Sequence, residues 1–170
     1  TDNKENNKEI KTESLPAKKV SASETHQLHV VIHPDINGFG RLFGGRLLEW
    51  IDEVAGATAR RHCGRDATTV AIDNLYFKSG AYLNDIIVLI GKVTHVGHTS
   101  MEVRVDTYRE EQDGTRHPIN RAYFVMVAMG DDGKPTPVPS LILENDGERM
   151  EWDNAIKRRE LRLVRKKEGF

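Results

Sequence analysis

The chain has 170 residues, 38% apolar and 30% charged, a size and balance that fit one folded domain with a normal core and charged ends. A formal charge of −1 argues against a nucleic-acid footprint, the single cysteine, Cys63, rules out an internal disulfide framework, and no stretch approaches a membrane span. With no apolar signal core in "TDNKENNKEIKTESLPAKKV", the expected setting is soluble, reducing and cytoplasmic.

Residues 1–24 are polar and without periodicity, which predicts a disordered tail. "HQLHVVI" (26–32) reads as a short strand, and "HPDINGFGR" (33–41) as a loop by its Pro, Asn, Asp and Gly content. From Gly44 to His62 the spacing of Leu47, Leu48, Ile51, Val54, Ala55 and Thr58 follows a helical three-and-four rhythm, and Gly64 stands where a helix stop belongs. The pattern then changes to period two. "TTVAIDNLYF" (68–77), "DIIVLIGKVTHV" (85–96), "TSMEVRVDTYRE" (99–110) and "NRAYFVMVAM" (120–129) are β-branched or aromatic-rich strands joined by short turns, hence antiparallel neighbours. Met101, Val103 and Val105 alternate with Glu102, Arg104 and Asp106, which predicts a solvated face on that strand. The ending, "DGERMEWDNAIKRRELRLVRKK" (146–167), reads as an exposed, charged and weakly anchored helix. Together these elements predict an α+β fold in which a curved antiparallel sheet wraps one long central helix. The implied division is a tail over 1–24, a domain over 25–140 and a charged extension over 141–170.

Two features of the helix carry chemistry. Gly44 and Gly45 fall at its N-terminus, where free backbone N–H groups and the positive dipole end favour negative charge and a glycine pair admits a close approach. The alternative is a plain turn into a helix. Asp52 falls on the stripe of Leu48, Ala55, Gly56 and Ala59, where an unpaired carboxylate is costly unless something needs it; the alternative is a charge at the stripe's edge paired with Arg60 or Arg61. Gly45 and Asp52 share a face but stand about 10 Å apart along the axis, so one reacting carbonyl cannot touch both. Two such helices packed antiparallel about a two-fold axis would bring Asp52 of one near Gly45 of the other. Asn37, ahead of the glycines, either forms a turn before Gly38 or aims its amide at a substrate.

"HPDINGFGRLFGGRLLEWIDEVAG", followed by "TTVAIDNLYF" and "VGHTSMEVRV", resembles the hotdog-fold acyl-coenzyme A hydrolases, the group of the bacterial YciA-type and mammalian brain-type cytosolic enzymes. The resemblance spans about residues 25–140 and covers one hotdog unit. It implies an acyl-CoA thioesterase with catalytic Asp52, Asn37, Thr69 and Gly45, in which the Thr69 hydroxyl holds the acid or the water. It further implies that Gly44, Phe77, Lys78, Gly97, Thr99 and Ser100 follow the pantetheine and phosphates of CoA, that no cofactor is needed, and that the chain self-associates as a dimer or a trimer of dimers. "FKSG" (77–80) lacks the proline often found after this strand in the family.

The expected chemistry is attack of water, activated by Asp52, on the thioester carbon, with the Gly45 N–H stabilising the oxyanion; direct nucleophilic attack by Asp52 is the other route. A thiolate leaves without a strong acid, since free thiols have a pKa of about 8.5. A hotdog hydratase or dehydratase would want a histidine beside the acid of "DINGFG", where there is none. A non-catalytic acyl-thioester sensor would carry a DNA-binding helical module, which the tail does not encode. Metal sites have no support, as His62–Cys63 are adjacent and His95 and His98 lack accompanying ligands. The basic run 157–167, with seven cations against one acid, either adds charge near the CoA phosphates or is a solvated helix face.

Overall fold

Alternating side chains from residue 86 onward build the three longest strands of the computed structural model, which describes residues 15–170. In chain order the elements are β1 (Lys18–Lys19), α1 (Val20–Ser23), β2 (Thr25–Val30), a 3-10 turn (His33–Asp35), α2 (Gly44–Cys63), β3 (Asp66–Ile72), β4 (Ile86–Val96), β5 (Ser100–Glu110), β6 (Arg116–Met129), β7 (Leu141–Ile142) and α3 (Asp146–Glu168). Five strands form one antiparallel sheet in the order β2-β4-β5-β6-β3. The short turns at Gly97 and Gly114 make β4, β5 and β6 consecutive neighbours, as their spacing predicts. Bulges between Thr69 and Ala71, Val93 and His95, and Thr107 and Tyr108 add local bend and twist.

The curl of the sheet holds α2. Its apolar stripe, Leu47, Trp50, Ile51, Val54, Ala55 and Ala59, is buried against Val103, Val105, Phe124 and Met126. The fit is close enough that a Cβ at Gly91 on β4 would lie within 2.8 Å of Val54 Cγ1 on the helix and still nearer the Thr58 hydroxyl. Gly64 ends the helix in the left-handed conformation at φ 67°, its N–H donating to the Arg60 carbonyl at 2.8 Å. The strand predicted over 68–77 leaves the sheet after Ile72, and the following coil carries Phe77 and Lys78 back toward the start of α2.

Two expectations change. Within the predicted tail, β1 pairs in parallel with β7, Val20 and Ser23 are buried, and Lys18 Nζ donates to the Arg61 carbonyl at 3.0 Å. A single valine is too sparse an anchor to show as periodicity. Residues 1–14 of that tail lie outside the described residues. The second change concerns the outer face of β5, which is not wet: Glu102 is 3% exposed, reached by arginines of α3, and Asp106 is 6% exposed, paired with Arg104 and Arg121 of the sheet. Arg158 Nη2 sits 2.7 Å from Glu102 Oε1, and Arg162 Nη1 reaches both Glu102 Oε2 at 3.1 Å and Asp73 Oδ2 at 2.9 Å. Arg104 bridges to Glu151 at 3.0 Å, the Arg158 guanidinium stacks 3.7 Å from the Tyr123 ring centre, and Trp152 packs on His95. Far from weakly anchored, α3 is fastened by charge, a mode that hydrophobic periodicity cannot register. Burial alone would raise the Glu102 carboxyl, but the hydrogen bonds from Arg158, Thr94 and Arg162 hold it below the ordinary glutamate value.

Glu102→Ala removes the acid that Arg158 and Arg162 share, leaving them only their outer partners Glu151 and Asp73. It should lower stability by up to about 3 kcal/mol, a Tm drop of roughly 6–12 °C for a chain of this size, read by calorimetry. An unchanged Tm would place the anchoring of α3 elsewhere. His62 supplies a pH test. It is fully buried with Nε2 2.8 Å from the Pro139 carbonyl and Nδ1 without a partner, and burial pushes its imidazole below the ordinary value despite that carbonyl. The unfolded chain therefore binds the proton more readily, so stability present at neutral pH is lost as pH falls through about 6.5. Urea midpoints should drop between about pH 7.5 and 5.5, and His62→Gln should narrow that drop.

Candidate active site

The loop before α2 is held by its own polar groups. Asp35 Oδ2 accepts from the Ile32 N–H at 3.0 Å, Oδ1 pairs with Arg46 Nε at 3.2 Å, and the Asp35 carbonyl accepts from the Phe43 N–H at 2.8 Å. Asn37 Oδ1 accepts from the N–H groups of Phe39 at 2.9 Å and Arg41 at 3.2 Å, and Gly40 takes φ 72° to close the turn. The turn role of Asn37 is thus real, and it occupies only the oxygen of the amide. The same residue lines a cleft of about 320 Å³ with Gly44, Leu47, Phe77, Lys78 and Ile119.

At the mouth of this cleft α2 begins without a side-chain cap, since Phe43 stands at the N-cap position. The first-turn N–H groups of Gly44 and Gly45 therefore have no intrahelical or capping acceptor, which suits them to an incoming oxyanion. A Cβ at Gly45 would fall 2.5 Å from the Phe43 ring and one at Gly44 would meet Phe77 at 3.8 Å. Glycine at position 45 is therefore a steric requirement of the Phe43 ring placement as well as an opening for substrate.

Asp52 lies two turns further along. The sequence places it on the buried stripe; in the structure Ala55 and Ala59 are buried while Asp52 itself is exposed, at the border facing β3. That strand supplies its partner: Thr69 Oγ1 donates to Asp52 Oδ1 at 2.8 Å. The hydroxyl also lies 3.3 Å from Met126 Sδ, but it has one hydrogen and the carboxylate is the stronger acceptor. Oδ2 of Asp52 is left for another donor. The neighbouring acids behave as helical phase predicts, exposed, with Glu49 paired to Arg46 at 2.8 Å. In the sequence Met126 carries no signal of this contact, reading as one more apolar residue of a strand.

The residues singled out in the sequence thus fall into two groups within one chain. Asn37, Gly44, Phe77 and Lys78 share the cleft at the N-terminus of α2, where Gly45 also lies. Asp52 and Thr69 stand about 10 Å along the helix. Gly97, Thr99 and Ser100 belong to the second group's end of the sheet: Thr69 and Met101 are both register partners of Met126, and Ser100 is the partner of Val127, so the β4–β5 turn lies two strands, about 10 Å, from Thr69. The Gly97 N–H donates to the Ser100 carbonyl at 2.8 Å, so it is spent within the hairpin. Among the described residues no three His, Cys, Asp or Glu side chains are grouped so as to hold a metal ion.

A family model described as the thioesterase superfamily matches residues 39–115. An uncharacterized acyl-CoA thioester hydrolase of Bacillus subtilis is 36% identical over 134 residues, 78% of each chain. The rat cytosolic acyl coenzyme A thioester hydrolase is 30% identical over 153 residues, 88% of this chain, which spans 40% of that longer protein. An apo-hexameric acyl-CoA thioesterase superposes with a TM-score of 0.85 at 38% identity, over 89% of this chain and 97% of its own. An acyl-CoA hydrolase from Staphylococcus aureus, solved with butyryl-CoA and CoA, gives a TM-score of 0.86 at 32% identity, over 91% and 94%. It has also been solved as three alanine variants, of an asparagine, an aspartate 15 positions later and a threonine 17 beyond that. The same intervals separate Asn37, Asp52 and Thr69.

Proposed function

Because the chain belongs to the thioesterase superfamily and is a hotdog acyl-CoA thioester hydrolase, we propose that its two residue groups meet across a dimer to cleave the thioester. The observation that carries this reading is the Thr69–Asp52 hydrogen bond, which aims one carboxylate oxygen and leaves the other for water, two helical turns from the uncapped N-terminus. In one copy, Asp52 takes a proton from water as it attacks the thioester carbon. In the partner, the Gly45 N–H stabilises the oxyanion, and the free amide nitrogen of Asn37 orients the carbonyl or the water. The thiolate of CoA then leaves. Its low basicity removes the need for a separate acid. The matched intervals of the S. aureus variants support the roles of Asn37, Asp52 and Thr69.

The same reading assigns residues 25–140 to the hydrolase domain and 141–170 to an extension that α3 lays over the sheet. Phe77, Lys78 and Gly44 take the pantetheine at the cleft, and Thr99 and Ser100 of the partner take the phosphates, with Gly97 closing the turn that carries them. The two-fold partner docks beside β3, an edge strand whose Val70 and Ile72 are exposed, and a hexameric neighbour supports a trimer of such dimers. Water and these side chains suffice for the reaction, so no cofactor is invoked. The cytosolic rat relative supports a cytoplasmic setting, and no described helix is long and apolar enough to cross a membrane.

Turnover of an acyl-CoA panel from acetyl to palmitoyl, with released thiol as readout, tests the activity. Asp52→Asn should lower kcat at least about a hundredfold with KM little changed, the scale of general-base loss; near-normal turnover would make Asp52 structural. Mixing tests the shared site. Asp52→Ala and Asn37→Ala, each inactive alone, should recover about a quarter of wild-type activity when co-expressed, since half of randomly paired dimers hold one intact site. A site contained within one chain would recover none.

A further inference from the structure

We infer that Phe39 of one copy caps an acyl channel floored by Gly56 of the partner subunit, and that this pair sets the acyl chain length the enzyme accepts. The inference rests on the dimeric acyl-CoA hydrolase reading above. Phe39 stands at the tip of the turn before α2, between Gly38 and Gly40, and is 89% exposed. Its backbone is pinned. The Phe39 N–H donates to Asn37 Oδ1 at 2.9 Å, the Gly40 N–H to the Asn37 carbonyl at 3.0 Å, and the Asn37 N–H to the Arg41 carbonyl at 2.8 Å. The ring does not line the cleft that Asn37 and Arg41 share. One exposed ring is common on a protein surface, but this one is tied through its own N–H to the amide that meets the reacting carbonyl.

The second observation comes from the helix. A Cβ at Gly56 would meet nothing within 4 Å, so its own chain does not require glycine there, and a glycine in mid-helix weakens the helix relative to alanine. Gly56 is half-buried and follows Asp52 by one turn on the same side of α2. Ala55 and Ala59 are buried in the chain's own core, so the gap belongs to no seam of small residues on which a partner helix could ride. In an antiparallel pair with Asp52 level with the partner's Gly45, a position four residues past Asp52 faces the stretch four residues before that glycine, which is the turn that carries Phe39. Ring and gap therefore come together about 6 Å past the carboxylate, at 1.5 Å per residue. An extended acyl chain covers that distance by about its fifth carbon, each C–C bond of about 1.5 Å advancing it a little less than its own length. Since the cleft of Phe77 and Lys78 takes the sulfur side of the thioester, the acyl side leaves over Gly56 and beneath Phe39. Short acyl groups stop before the pair, and longer ones bury methylenes against it.

The test runs an acetyl to palmitoyl CoA panel on full-length wild type, Gly56→Leu, Phe39→Ala and Phe39→Leu, with oligomeric state followed by light scattering. Gly56→Leu fills the channel and should lower kcat/KM at least about tenfold for hexanoyl and longer groups, with acetyl-CoA held within about twofold. Phe39→Ala should lower the same long-chain values about tenfold, the scale of a few methylenes returned to water, and Phe39→Leu should recover most of that loss. Mixing decides which chain supplies which residue. In a dimer of one Asp52→Ala chain and one Asn37→Ala chain, the intact site takes its turn from the first and its acid from the second. Phe39→Ala should therefore shift the chain-length profile only when the Asp52→Ala chain carries it, and Gly56→Leu only when the Asn37→Ala chain does. Equal losses at every chain length, an unchanged profile in Gly56→Leu or Phe39→Ala, dissociation of either variant, or a shift that ignores the carrying chain would each overturn the assignment. If wild type cleaves no acyl-CoA, the hydrolase reading falls and this inference with it, whereas flat variant profiles on an active wild type sink this inference alone.

Discussion

A single helix held at close range inside a curled sheet is the constraint from which the rest follows. Gly91 lets Val54 and Thr58 of α2 press on β4, and the buried stripe from Leu47 to Ala59 fixes the helix's rotation. With rotation fixed, the uncapped glycine end opens into the cleft of Asn37 and Phe77, and Asp52 comes to the border where Thr69 can reach it. The helix also sets the distance between them. Seven residues at 1.5 Å each cannot be shortened by any loop movement, so the two halves of the proposed chemistry belong to one chain but not to one site. On the proposed reading a second copy completes the site.

The outer face of the sheet follows different physics. On it, Glu102 is stripped of water and would be expensive if unpaired, yet Arg158, Arg162 and Thr94 satisfy it from three sides. Such a carboxylate specifies where α3 must lie, because its partners are 56 and 60 residues away in sequence and must come from one helix. The apolar residues of α3 contribute less: Leu161, Leu163 and Val164 remain exposed, and Ala155 is its one fully buried position. Charge therefore docks the helix.

Read from residues alone, the local elements emerge with fidelity. The helix at Gly44 stands because its apolar spacing, its glycines and the stop at Gly64 all agree, and the strands β4 to β6 because alternation and short turns leave antiparallel pairing as the simple outcome. Boundaries slipped where tertiary contact decided them: the strand after the helix ended at Ile72, where its pairing with β6 runs out, and the buried Val20 follows Lys18 and Lys19, which pair in parallel with a segment over a hundred residues away.

By itself the sequence determined which side chains exist to do chemistry and the helix and strands that carry them, because periodicity, capping and turn preference act over a few residues and are written where they act. It also determined the interval between Gly45 and Asp52, since a helix is a ruler. The tertiary structure alone decided that Thr69 binds Asp52, that Asn37 spends its amide oxygen on its own turn, and that the polar face of β5 is covered. Those outcomes depend on hydrogen bonds and ion pairs between residues far apart in the chain. Such pairs leave no periodic trace, because any arginine reads the same whether it faces water or a buried acid.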